Sequence, residues 1–232
     1  NSDIIKIKKD EKGQNYIRIF GKKILNSQKI SISGDPSSAA FFTALTLLTP
    51  KANLKIKNVG LNPRRIGFYK LLKKNGAKIE FKKIKRVNNE LVGDIEVKYS
   101  NLRALKAGPE YYVSATDEYP ILFITAALTK GISIFKGISD LANKESNRIL
   151  EMKKILSQIN IKSKISKDAF KIYGQGIVAA GTRKVFVTNL GDHRICMSAF
   201  ILALVTGVKT KIKNFETVFT SSPSFLKIMK KL

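Results

Sequence analysis

Gly34-Asp35-Pro36-Ser37-Ser38, running into AAFFTALTLL (39–48) and then LKIKNVG (54–60), is the stretch that decides the fold. A polar turn leads into an almost wholly apolar segment of helical length, and that into a short alternating strand. The same order returns twice. Asp117-Glu118-Tyr119-Pro120 precedes ILFITAALTKG (121–131) and ISIFKGI (132–138); Gly191-Asp192-His193-Arg194 precedes ICMSAFILALVTG (195–207) and VKTKIKNF (208–215). Aligning Leu54, Ile132 and Lys209 gives a period of about eighty residues, the mark of repeated supersecondary units. A helix apolar on every side has no solvent face, so all three are expected inside the domain.

Working outward, each unit adds an amphipathic helix. Ile66, Tyr69 and Leu72 alternate with Lys70, Lys73 and Lys74. Ile149, Met152, Leu156 and Ile159 oppose Glu151, Lys153 and Lys154, and Phe225, Ile228, Met229 and Leu232 oppose Lys227 and Lys230. The unit reads buried helix, strand, covering helix, strand, with further strands expected over 78–81, 94–98, 161–165, 170–173 and 184–187. Asn75-Gly76 closes the first covering helix; the third stops at Leu232 without cap or strand, as if cut in mid-unit. Residues 1–33 hold three short alternating runs (4–8, 16–20 and 29–33), too little to fold alone. They read as the last strands of a preceding, incomplete domain, with 34–232 forming a second domain truncated at its end.

The chain has 232 residues, 44% of them hydrophobic, and a formal charge of +26. That charge calls for an anionic partner. The basic residues, however, are spread as pairs (Lys22-Lys23, Lys73-Lys74, Lys82-Lys83, Lys153-Lys154, Lys230-Lys231) among Asn and Ile. Such spacing writes solvated faces rather than a basic arm, which disfavours nucleic acid; small phosphorylated substrates are compatible with either reading. The longest apolar run, around 195–205, is too short to span a membrane, and no secretory signal opens the chain. The lone Cys196 cannot form an internal disulfide, so a cytoplasmic location is expected. One Cys and one His cannot build a zinc site, and no Gly-rich phosphate loop is present.

Polar residues gather where helices begin. A helix N-terminus offers unpaired N–H groups and partial positive charge to phosphate or carboxylate. Ser37, Ser38, Asp117, Glu118 and Asp192 to Arg194 open the buried helices; Arg64-Arg65, Lys144 to Arg148 and Ser221-Ser222-Pro223 open the covering ones. Packed with one polarity, these starts would share a positive face with embedded carboxylates. Each residue also has a plainer reading. Asp117, Ser37 and Ser222 suit N-caps, Glu145 and Arg148 could form a surface ion pair, and His193 could be a capping or structural residue.

GDPSSAAFF (34–42), VGLNPRRIGFYKLLKKNGAKI (59–79), DEYPILFITAAL (117–128), KESNRILEMKKIL (144–156), GDHRICMSAF (191–200) and SSPSFLKIMKKL (221–232) resemble, in order and spacing, the second half of the 5-enolpyruvylshikimate-3-phosphate synthase family. The resemblance implies an α/β fold with three βαβαββ units around buried parallel helices, the C-terminal domain of the enolpyruvyl transferase fold. It implies transfer of the enolpyruvyl group of phosphoenolpyruvate to the 5-hydroxyl of shikimate 3-phosphate, with release of phosphate and no cofactor. By similarity Asp117 would hold the 5-hydroxyl and act as general base, and Glu145 would move a proton to and from the phosphoenolpyruvate methylene. Lys144 would contact shikimate 3-phosphate; Arg148 and Arg194 would clamp phosphoenolpyruvate through planar forks that match paired oxygens. Asp192, His193 and Thr220 are supporting candidates.

Several positions depart from the family pattern. Ala142-Asn143 precede Lys144 where relatives read Arg-Val, Asn147 replaces an Asp, and Thr220 stands where many relatives place a phosphate-binding lysine. The usual Ser-Phe-Pro is Ser221-Ser222-Pro223. The family's N-terminal half, with its Ser-Ala/Ser-Gln run and further arginines, is not in this sequence, so the chain alone is expected to be inactive. Two other readings stand beside this one. The sister transferase acting on UDP-N-acetylglucosamine lacks the KES-x-R and GDHR-x-x-M pair; a degenerate domain binding RNA through its lysines would keep the motifs as relics.

Overall fold

The computed structural model describes residues 5–21, 24, 27, 29–177, 181–188 and 191–232. The chain divides into two compact units, Asn1–Ile32 and Ser33–Leu232.

The first unit is a hairpin of β1 (Ile5–Lys9) and β2 (Asn15–Ile19), paired antiparallel in the register Ile5↔Ile19, Ile7↔Ile17. Its turn is held by the Asp10 carboxylate, which accepts from the Lys12 and Gln14 amides at 2.9 and 2.8 Å. Residue 4 of the first expected strand, and the pair Lys22-Lys23, lie outside the described residues. The strand expected over 29–33 does not form. Ile30 and Ile32 alternate as a strand would but stand 69% and 88% exposed. Alternation becomes a strand only where another backbone pairs with it, and the single parallel bridge here is Gly34 with Val59.

The second unit is built on three helices that run through its interior. These are α1 (Pro36–Leu48), α4 (Tyr119–Ala127) and α6 (His193–Thr206), and each packs against the other two. Because they are apolar all round, sheets and amphipathic helices must cover them. After α1 come β3 (Asn53–Gly60), α2 (Gly67–Lys74), β4 (Lys78–Val87) and β5 (Glu90–Lys98). The next repeat runs β6 (Lys106–Ala107), α3 (Tyr112–Ala115), α4, β7 (Gly131–Lys136), α5 (Arg148–Gln158), β8 (Ser163–Ser166) and β9 (Ala169–Gly174). The last contains β10 (Lys184–Val187), α6, β11 (Lys209–Ile212), α7 (Thr217–Ser221) and α8 (Phe225–Met229).

Sheet topology makes the repeat explicit. One sheet has the order β3-β5-β4, extended beyond β3 by the Gly34 bridge; another has the order β6-β7-β9-β8. Each is a parallel strand–helix–strand step completed by an antiparallel pair, a βαβαββ unit. The third sheet is the parallel pair β10-β11. Three of these elements escaped the sequence reading, among them the one-turn helix α3. The two-residue β6 is too short to show alternation, and α7 is one turn of helix with little apolar pattern. Aromatic rings pack within and between the repeats: Phe123 meets Tyr119, Phe135 and Phe170 inside the second, while Phe225 of α8 joins the third to the first through Phe41, Phe42, Phe200 and Phe215. Gly207, at φ +71°, ends α6 in the left-handed conformation that a side chain resists. No helix among the described residues is long and apolar enough to cross a membrane.

Candidate active site

The starts of α1, α4, α5 and α6 are linked by one network of charges. Asp192 is its hub. Its carboxylate caps α6, accepting from the Arg194 amide at 3.0 Å and the Ile195 amide at 3.4 Å. It also accepts from Arg148 Nε at 2.9 Å and from the Ser146 hydroxyl at 2.9 Å. Arg148, the first residue of α5, is 1% exposed and extends Nη2 to Glu145 at 2.5 Å. Its Nη1 lies 3.6 Å from Asp117 Oδ1. Arg194 comes to the other oxygen of the same carboxylate, with Nη2 3.3 Å from Asp117 Oδ2. Two buried arginines thus converge on one aspartate just ahead of α4.

Burying a guanidinium is tolerable only if carboxylates and hydrogen bonds surround it. Most of that condition is met here, with a few exceptions. Arg148 Nη1 and Arg194 Nε are buried with no hydrogen-bond partner among the described residues, and so is His193 Nε2. Burial, and then the neighbouring Arg194 charge, holds the His193 ring below the usual histidine range. Asp117 and Glu145 are the open members, with side chains 45% and 50% exposed. The cluster offers unused donors to an anion and two carboxylates for moving protons.

The edges are structured as well. Asp35 caps α1 through the Ser38 amide at 2.8 Å and receives Arg65 Nη2 at 2.9 Å; the same nitrogen reaches Ser37 Oγ at 3.3 Å. Glu118 faces inward at 2% exposure. Burial pushes its carboxyl up to about 7, against a hydrogen bond with Ser37 and the Arg194 charge that pull the other way. Lys144 is held at 2.7 Å by Asp140.

Asp117, Glu145, Arg148, Asp192, His193 and Arg194 therefore come together. Thr220 does not join them: it is exposed on α7 and donates to the Thr217 carbonyl at 2.7 Å, whereas Thr217 reaches the Gly191 carbonyl at 3.0 Å. The capping readings also fall. The caps are Asp35, Asn147 and Asp192, not Ser37, Asp117 or Ser222. Asn147 caps α5 through the Leu150 amide at 3.1 Å, a role open to Asn and Asp alike. Glu145 and Arg148 are not a surface pair, because the arginine is buried. Arg64-Arg65 form a turn ahead of α2 rather than its first residues. Sequence reasoning missed Ser146 and Asp140 as partners, though both flank the Lys-Glu motif.

Comparison with known proteins bears on the family and the fold. The family model described as EPSP synthase (3-phosphoshikimate 1-carboxyvinyltransferase) matches residues 4–229. The 3-phosphoshikimate 1-carboxyvinyltransferase of Zymomonas mobilis is 38% identical over 223 residues, 95% of this chain and 49% of that protein. The enzyme of the same name from Carboxydothermus hydrogenoformans is 38% identical over 216 residues, 93% of this chain and 50% of its own length. The chain thus spans about half the length of the curated relatives it matches. EPSP synthase from Acinetobacter baumannii superposes with a TM-score of 0.83 at 31% identity, covering 97% of this chain and 51% of that one. The enolpyruvyl transferase NikO from Streptomyces tendae, at 13% identity and a TM-score of 0.60, shares the fold. With its family model matched almost end to end and its repeat and fold reproduced in these structures, the chain belongs to the EPSP synthase family.

Proposed function

We propose that this chain supplies the C-terminal half of a 3-phosphoshikimate 1-carboxyvinyltransferase. The reaction moves the enolpyruvyl group of phosphoenolpyruvate to the 5-hydroxyl of shikimate 3-phosphate and releases phosphate. The observation that carries this reading is the pair of buried guanidiniums meeting at Asp117, where Arg148 Nη1 and Arg194 Nε make no hydrogen bond among the described residues. A buried donor without a hydrogen bond is costly, and a small anion with carboxylate and phosphate oxygens offsets that cost.

In this reading Arg148 and Arg194 turn their nitrogens to phosphoenolpyruvate, and the ligand replaces Asp117 as their partner. That frees the Asp117 carboxylate to hold the 5-hydroxyl and take its proton. Glu145, on the open side of Arg148, delivers a proton to the methylene carbon as the C–O bond forms and removes it as phosphate leaves. Lys144 binds shikimate 3-phosphate. Asp192 and Ser146 keep Arg148 in register, and His193 lines the site as a neutral ring. The family relation supports a partner domain in the same enzyme; residues 1–33 are read as its last strands and 34–232 as the catalytic half-site. A site with one wall cannot align two substrates, so the chain alone releases no phosphate.

The test is to mix the purified chain with the N-terminal half of the Zymomonas mobilis relative and measure phosphate release with both substrates. Turnover is expected only with both halves present, and R194K should lower it by about 100-fold. A stable complex of the two halves that makes no product would overturn the proposal, as would equal turnover by the chain alone.

A further inference from the structure

Lys144 does not stand alone at the rim of the site. Its ammonium lies 2.7 Å from Asp140 Oδ2, and the Tyr112 hydroxyl donates to that same oxygen at 2.5 Å. The three residues come from different places: Asp140 from the 3-10 turn Ser139–Asn143, Lys144 from the residue after it, and Tyr112 from the start of α3. Asp140 and Tyr112 are 28 residues apart in the chain. The Lys144 pair, and then the Tyr112 hydrogen bond, hold the Asp140 carboxyl below its ordinary range. Burial, and then Asp140 itself, push the Tyr112 hydroxyl well above the usual tyrosine range. Across neutral pH this is a fixed arrangement of carboxylate, ammonium and neutral hydroxyl.

The backbone is built to keep the two segments in contact. Gly137, at φ +70°, lies so close to Pro109 that a Cβ there would come within 2.5 Å of the proline side chain. The Thr116 hydroxyl, next to Asp117, donates to the Tyr112 carbonyl at 2.6 Å. A continuous path thus runs from Asp117 through Thr116 and Tyr112 to Asp140 and Lys144, and Lys144 adjoins Glu145.

We infer that Tyr112 and Asp140 are positioning residues: they hold the Lys144 ammonium and fix the Lys144-Glu145 segment against the Asp117 segment. This rests on the proposed function for its catalytic consequence, though not for the contact itself. Tyr112 and Asp140 touch no substrate in this scheme. They decide where a long, otherwise mobile lysine points, which saves the entropy of ordering it when shikimate 3-phosphate arrives.

Two measurements test it. The first is 15N relaxation of the Lys144 ammonium in the isolated chain, the signal being identified by its loss in K144R. The ammonium should be ordered in the wild type, mobile in D140N and intermediate in Y112F. D140E, which keeps the carboxylate, should restore part of the order. The second is turnover by the two-half mixture. Y112F should raise the KM for shikimate 3-phosphate about fivefold and D140N about tenfold or more, with the KM for phosphoenolpyruvate changed less than twofold. Equal ammonium order in all variants would overturn the inference even if the wild type turns over. Conversely, a mixture without activity whose ammonium still loosens in Y112F would remove the proposed function and leave the positioning of Lys144 intact.

Discussion

The two ends of the three buried helices solve the same problem in opposite ways. Every helix terminus leaves backbone groups unpaired. At the C-terminal ends the chain uses single hydroxyls: Thr49 donates to the Leu45 carbonyl, Thr129 to Thr125 and Thr206 to Leu202, at 2.8, 2.8 and 2.7 Å. At the N-terminal ends it uses charge. Asp35 and Asp192 cap, Asp117 and Glu118 crowd the start of α4, and Arg65, Arg148 and Arg194 are drawn in among them. Hydroxyls would have capped the N-termini as well. A buried charge network is a weak source of stability, so its concentration at one end marks that end as the functional one.

The largest effect should come from removing the hub. D192A strips Arg148 of its main partner and α6 of its cap, and should cost about 3–5 kcal/mol in urea unfolding. A loss under about 1 kcal/mol would mean that the two ends are energetically alike.

The next effect is a gain. The Glu118 carboxyl ionises near 4.5 in the unfolded chain and at about 7 when folded. Between those values the folded chain holds a proton that the unfolded chain has released. Stability therefore falls as pH rises through this window and levels off above 7, a total of about 3 kcal/mol. E118Q remains neutral and should track the wild type near pH 4.5, then exceed it progressively up to pH 8. Parallel stability curves for the two proteins would show that Glu118 is ionised in the fold throughout. The smallest effect belongs to the other end, where T206V should change stability by no more than about 1 kcal/mol.

How much of this was legible depends on distance along the chain. The three apolar runs gave the buried helices directly, and the lysine-alternating runs gave α2, α5 and α8. The gathering of polar residues at helix starts was visible, and so were Asp117, Glu145, Arg148 and Arg194 as a group. Which acid caps was not. Asp35 rather than Ser37 takes that role because its backbone is extended (φ −75°, ψ 123°) where the helix opens, and composition does not encode that angle. Nor could a sequence tell that Asp117 faces out while its neighbour Glu118 is sealed in, since the 3-10 turn Thr116–Glu118 separates them. Tyr112 and Asp140 carry no local signal, because their contact exists only once β7 has laid its following turn against α3. Ile30 and Ile32 show the converse: a clean local pattern that forms no strand.

The central claim is that Arg148 and Arg194 offer a small carboxylate- and phosphate-bearing anion nitrogens that make no hydrogen bond among the described residues. The most direct measurement is the shift of arginine Nε–H signals in 15N spectra as phosphoenolpyruvate is titrated into the chain. The account predicts saturable shifts at Arg148 and Arg194, with the exposed Arg86 and Arg103 unmoved. Equal, non-saturating shifts at all four would contradict it.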